Sequence, residues 1–202
     1  MVDHIVKDVV ELEALYGVPG KASLIKVAPQ LSPLYRKWIM ASRLCVVSTV
    51  GPEGTDGSPR GNDGPVVQEL DEKTLLLPDW RGNNRMDTLR NIVGDGRISL
   101  MFMVSGSNNV IRVNGTAVVS LDPDLLGRFA QKGRQPRSLV VITIAEVYSQ
   151  CARALMRARV WTSDDESEGL PTIGALLAEQ EDAFDGAEYD AAWADRAAKT
   201  MW

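Results

Sequence analysis

The sequence predicts a mainly β domain with flanking helices, built as a small antiparallel barrel. Two observations carry this. Between residues 44 and 148, short β-rich runs recur at roughly ten-residue spacing, separated by clusters of turn formers. Helical periodicity is confined to the two ends and to brief interruptions of that pattern.

The elements follow in order. Ile5, Val9, Leu12 and Tyr16 mark an amphipathic helix over residues 5–16, ended by Gly17, Pro19 and Gly20. Ser32-Pro33, a capping residue followed by proline at the first helical position, opens a second helix. Strands are then expected at Leu44–Val50, Thr55–Arg60, Pro65–Leu70 and Thr74–Leu77, with Gly51-Pro52-Glu53-Gly54 and Asp71-Glu72-Lys73 as turns. Residues 84–93 switch to helical period through Met86, Leu89 and Val93, and Gly94 and Gly96 close that helix. Arg97–Val104, Asn109–Leu121 and Leu139–Tyr148 read as further strands. Between the last two, Asp122-Pro123 opens a short helix to about Gln131, and a basic loop follows. Residues 150–159 form a short helix, Ser163–Gly169 an acidic linker, and 171–202, with Phe184, Tyr189, Trp193 and Trp202, one or two helices. The organisation expected is an N-terminal helical extension (1–30), a barrel domain (31–162), and a linker with a helical tail (163–202).

Composition narrows the function. The 202 residues and 45% hydrophobic content suit one globular domain with terminal additions. The net charge of −5 argues against nucleic acid or an anionic membrane as partner. No run approaches a membrane span, the first residues lack the apolar core of a signal peptide, and only Cys45 and Cys151 are cysteines, so a cytoplasmic location is expected. Cys151 is read as a buried small residue. The single histidine, His4, leaves little for a histidine-based triad or zinc site, so a cofactor is expected to carry any hard chemistry.

Four stretches can hold chemistry. Residues 75–89 run strand, glycine-containing loop, helix start, with Arg81 and Arg85 flanking the helix N-terminus. Unpaired N–H groups and the dipole at such a start attract phosphate, and arginine forks suit a phosphate monoester. The plain alternative is a solvated loop whose arginines pair with Asp79 and Asp87. Ser58–Pro65 sets Arg60 among turn formers, either beside an anion or in an exposed hairpin. Arg153 and Arg157 share one helix face before Trp161, as a cationic and aromatic wall or an ordinary amphipathic helix. Lys132, Arg134 and Arg137 form a basic loop that can reach a neighbouring subunit's ligand or simply be solvated.

Taken in order, Thr49–Gly54, Ser58-Pro59-Arg60-Gly61, Leu77–Asn83, Asp87–Ile92, Arg112-Val113-Asn114-Gly115 and Ala154-Leu155-Met156-Arg157 before Trp161 resemble the FMN-binding proteins related to pyridoxamine 5′-phosphate oxidase, over roughly residues 30–162. The resemblance implies a six-stranded Greek-key split β-barrel and a homodimer with FMN at the subunit interface. It implies that Arg60 and Arg85 hold the FMN phosphate and that Asn84 helps at the helix start. The Pro78-Asp79 backbone, next to Trp80, would run along the flavin, and Arg157 and Trp161 would come from the second subunit. It implies an FMN-dependent oxidoreductase acting on an unidentified small molecule or electron donor. A flavin carrier or redox sensor, and a barrel using a deazaflavin, are the alternatives. Val110 stands where the oxidase carries glutamine, and the oxidase's C-terminal arginine and histidine have no match, which argues against a vitamin B6 substrate.

Overall fold

The computed structural model describes residues 3–82 and 84–201. Its centre is one antiparallel sheet of seven strands, β1 (Leu44–Gly51), β2 (Gly54–Gly61), β3 (Gln68–Asp71), β4 (Thr74–Asp79), β5 (Arg97–Met103), β6 (Val110–Ser120) and β7 (Ser138–Gln150). They are ordered β2-β1-β5-β6-β7-β4-β3. The hairpins β1–β2 and β3–β4 sit at the two ends, on either side of the β5–β6–β7 meander. The split-barrel resemblance implies six strands. The seventh is β3, a four-residue edge strand that pairs only with β4. It begins at Gln68 rather than Pro65, because Val66 and Val67 are buried and the Val66 N–H donates instead to the Ser42 carbonyl.

Alternation builds the core. Cys45 and Val47 of β1, Ile98, Leu100 and Phe102 of β5, and Ile111 and Val113 of β6 all face inward, at the period of two that a strand imposes. β7 changes parity midway. Asn114 pairs with Glu146 but Gly115 with Ile144, so Ala145 is an extra residue, and both Ile144 and Val147 reach the core. Gly115 is needed there, since a Cβ on it would lie 2.0 Å from the Thr143 carbonyl oxygen.

Helices close and frame the sheet. α1 (Val9–Tyr16) and α2 (Lys21–Ile25) contain no buried residue. The helix expected from residue 5 starts at Val9, where Asp8 caps it. α2 was not legible as a separate element. Ala28 then pairs with Val147 on the stretch of β7 beyond the reach of β4. α3 (Pro33–Ala41), capped by Ser32, buries Ile39, and Arg36 holds Glu69 of β3 through two hydrogen bonds of 2.5 and 2.7 Å. α4 (Asp87–Gly94) packs on β1 and β2. α5 (Pro123–Gly127) ends earlier than expected, and α6 (Arg153–Arg157) is one turn long. The tail forms three helices rather than one or two: α7 (Ile173–Gln180), α8 (Gly186–Ala191) and α9 (Trp193–Thr200). Gly174 and Gly186 bring α7 and α8 together, and Asp190 accepts the Gly174 N–H at 2.8 Å. Among the described residues no helix is long and apolar enough to cross a membrane.

Candidate functional site

The end of β2, the end of β4 and the start of α4 enclose a cleft of about 410 Å³, in the size range of small-molecule sites. Arg60 is the penultimate residue of β2. Its Nη1 donates to Asp79 Oδ1, at the end of β4, over 2.9 Å, with the two side chains 25% and 17% exposed. β2 and β4 are distant in the sheet order, so this pair crosses the mouth of the curled sheet. The Arg60 Nε is buried without a hydrogen-bond partner. A buried donor in that state costs about 1–3 kcal/mol, which an anion in the cleft would relieve.

The α4 side of the cleft adds further donors. Met86 occupies the N-cap with φ 61° and offers no capping side chain, so the helix start is left for another acceptor. Asn84 also has positive φ, 63°. Two such residues around a helix start store strain of the kind that collects at ligand sites. Arg85 between them pairs with Asp87 at 2.5 Å, and that hydrogen bond and charge push the Arg85 pKa further up. Arg137, just before β7, donates from Nη1 to Asn84 Oδ1 at 2.7 Å. The buried Thr88 donates to Asp56 Oδ2 at 2.5 Å and so ties α4 to β2. Three guanidinium groups and three carboxylates thus line the cleft. Each carboxylate is engaged by a neighbour, while the buried Nε of Arg60 is not.

Of the residues singled out in the sequence, Arg60, Asp79, Trp80, Asn84 and Arg85 come together here. Pro78 is buried in β4 opposite Leu139, beneath the cleft rather than on its wall. The expected pairing of loop arginines with Asp79 and Asp87 is found in altered form: Arg85 takes Asp87, but Asp79 goes to Arg60, and Arg81 is exposed outside the lining. Asn83 lies outside the described residues, as does Trp202. Arg157 and Trp161 do not reach this chain's cleft. Arg157 is exposed on α6, and Trp161 donates its Nε1–H to the Ser107 carbonyl in the β5–β6 loop at 2.8 Å. Cys151, expected to be buried, is exposed, because β7 ends at Gln150 and leaves it in the turn before α6.

Sequence reasoning missed Asp56 and Thr88, whose roles depend on β2 lying against α4. It left the loop of Lys132, Arg134 and Arg137 as either reaching a neighbouring subunit's ligand or solvated; Arg137 lines the cleft of its own chain and Arg134 turns to the Lys199 carbonyl of α9.

The model of the family described as pyridoxamine 5′-phosphate oxidase matches residues 31–151. No curated protein matches the chain in sequence. Among solved structures, HupZ of Group A Streptococcus is similar, at 19% identity and a TM-score of 0.50 over 59% of this chain and 93% of that one. A suspected pyridoxamine 5′-phosphate oxidase of Lactobacillus delbrueckii aligns at 22% identity and TM-score 0.46, covering 60% of this chain and 95% of its own. An FMN-binding protein of Syntrophomonas wolfei aligns at 12% identity and TM-score 0.43, covering 57% and 88%. With more than half its length matched and a curled antiparallel sheet of the expected kind, the chain belongs to the pyridoxamine 5′-phosphate oxidase family.

Proposed function

We propose that this protein binds FMN in the cleft between β2, β4 and α4 and works as a flavin-dependent oxidoreductase. The observation that carries the reading is the buried, unpartnered Nε of Arg60 in a cleft that also holds an uncapped helix start, in a member of this family. Arg60, Arg85 and the N–H groups of the α4 start take the phosphate, with Asn84 helping to position the loop. Arg137 adds a third guanidinium. Asp79 and Trp80 border the ring, with the buried Pro78 supporting them from beneath. A bound flavin supplies hydride and electron transfer, which no side chain of the cleft provides. Arg157 and Trp161 complete the site from a second copy of the chain in a homodimer, and the low cysteine usage fits a cytoplasmic setting.

A flavin carrier without turnover is the second reading. It is favoured by the engagement of every cleft carboxylate: Asp56 by Thr88, Asp79 by Arg60 and Asp87 by Arg85. No carboxylate is left uncommitted to act as acid or base.

The visible spectrum of the purified protein, with the mass of the cofactor released by heating, tests the shared claim. Oxidised-flavin bands and the mass of FMN support it. A deazaflavin mass redirects it, and a colourless protein that takes up no added FMN overturns it.

A further inference from the structure

The segment before Ala28 carries eleven large apolar side chains between Ile5 and Val27, all left exposed by the described residues. An apolar surface of that extent marks an interaction site. The segment is also acidic where it is most apolar: residues 3–16 hold Asp3, Asp8, Glu11 and Glu13 against Lys7 alone. A second exposed surface has the complementary character. Residues 151–162 hold Arg153, Arg157 and Arg159 and no acid, with Met156 and Val160 exposed beside them, and of the three Arg159 faces a carboxylate, Glu166 at 3.6 Å. The arm ends at Ala28, which is pinned to Val147 of β7, and the basic surface begins just beyond Gln150 of the same strand. They nonetheless stay apart and exposed within one chain.

We infer that α1 of each chain docks on α6 of a second copy. An isologous exchange of this kind uses both surfaces twice and closes on itself. It matches acid to base around an apolar centre, which fixes partner and register. The inference rests on the homodimer proposed above and adds the device that would hold α6, and with it Arg157 and Trp161, in place over the partner. Neither the arm nor α6 falls wholly in the family-matched region, which ends at residue 151.

Sedimentation equilibrium on the full chain tests this with Glu11→Arg/Glu13→Arg, Arg153→Glu/Arg157→Glu and the combined swap. Neither α1 nor α6 contains a buried residue, so folding is expected to survive, with far-UV circular dichroism as the check. Each double variant is expected to weaken dimerisation at least tenfold, and the combined swap to restore most of it. A dimer indifferent to either reversal, or a swap that fails to rescue, overturns the arm–α6 contact and leaves the dimer standing. A wild-type chain that is monomeric at every concentration overturns the homodimer itself.

Discussion

Arg60→Met separates a ligand-binding arginine from a structural strut. In the free protein two effects of this substitution oppose each other. Losing the 2.9 Å pair leaves Asp79, 17% exposed, without its cation. For a pair this close to the surface, removing one partner costs about 1–3 kcal/mol. The same substitution removes the buried, unpartnered Nε, which relieves a penalty of about the same size. The stability of the free chain is therefore expected to change by no more than about 1 kcal/mol. FMN binding has no such compensation. A lost charge-assisted hydrogen bond of about 2 kcal/mol raises Kd roughly 30-fold. At a flavin concentration one hundred times the wild-type Kd, ligand stabilisation then falls from about 2.7 to about 0.9 kcal/mol. Urea unfolding with and without FMN, together with a fluorescence titration, reads both quantities. A free protein destabilised by more than about 3 kcal/mol, with unchanged FMN affinity, would refute the reasoning and make Arg60 a strut across the barrel mouth.

Other sites give tests that do not depend on a ligand. Gly115→Ala places a Cβ 2.0 Å from the Thr143 carbonyl oxygen at the bulge between β6 and β7. The central strands must move by more than an ångström, so a loss of about 3 kcal/mol and a Tm lower by roughly 6–12 °C are expected; a shift under about 2 °C in a thermal scan speaks against the register described. Cys45 is fully buried, and burial pushes its thiol up to about 12, whereas Cys151 is exposed. A thiol reagent is expected to titrate one cysteine in the native protein and two after denaturation. The sign of the linked pH effect follows. The unfolded chain ionises Cys45 near its ordinary value and the folded chain does not, so its contribution is intact at lower pH and is lost as pH rises above about 9, by about 1.4 kcal/mol at pH 10. Cys45→Ala is expected to lack that slope, and an unchanged slope in the variant would contradict the assignment.

The strands were legible because each carries its own signal. Cys45, Val47, Ile98, Leu100 and Phe102 alternate cleanly, and Gly51-Pro52-Glu53-Gly54 closes the β1–β2 hairpin. The bulge at Gly115 left a fainter trace. Val140, Ile142 and Ile144 fall on even positions while Val147 does not, a phase shift that alternation alone reads as noise. In the cleft, Arg60 and Arg85 were legible from residue type and local punctuation, through the turn-rich loop and the helix start, while Asp79 entered as a pairing partner and through the family resemblance. Asp56 and Thr88 were not, because their meaning lies in a contact between β2 and α4, 32 positions apart. The place of Arg137 in the cleft was hidden for the same reason: a loop's composition shows its charge but not where the preceding chain delivers it. The exposed faces of α1 and α6 are legible only once the fold shows that the described residues leave them uncovered.

The most direct test of the central claim is a fluorescence titration of the purified full chain with FMN and with riboflavin, which differ by the phosphate alone. If Arg60, Arg85 and the α4 start form a phosphate site, FMN binds at least about 30-fold more tightly, since even one lost charge-assisted hydrogen bond is worth about 2 kcal/mol, and added inorganic phosphate competes. Equal affinity for the two flavins, or no binding of either, would contradict the account.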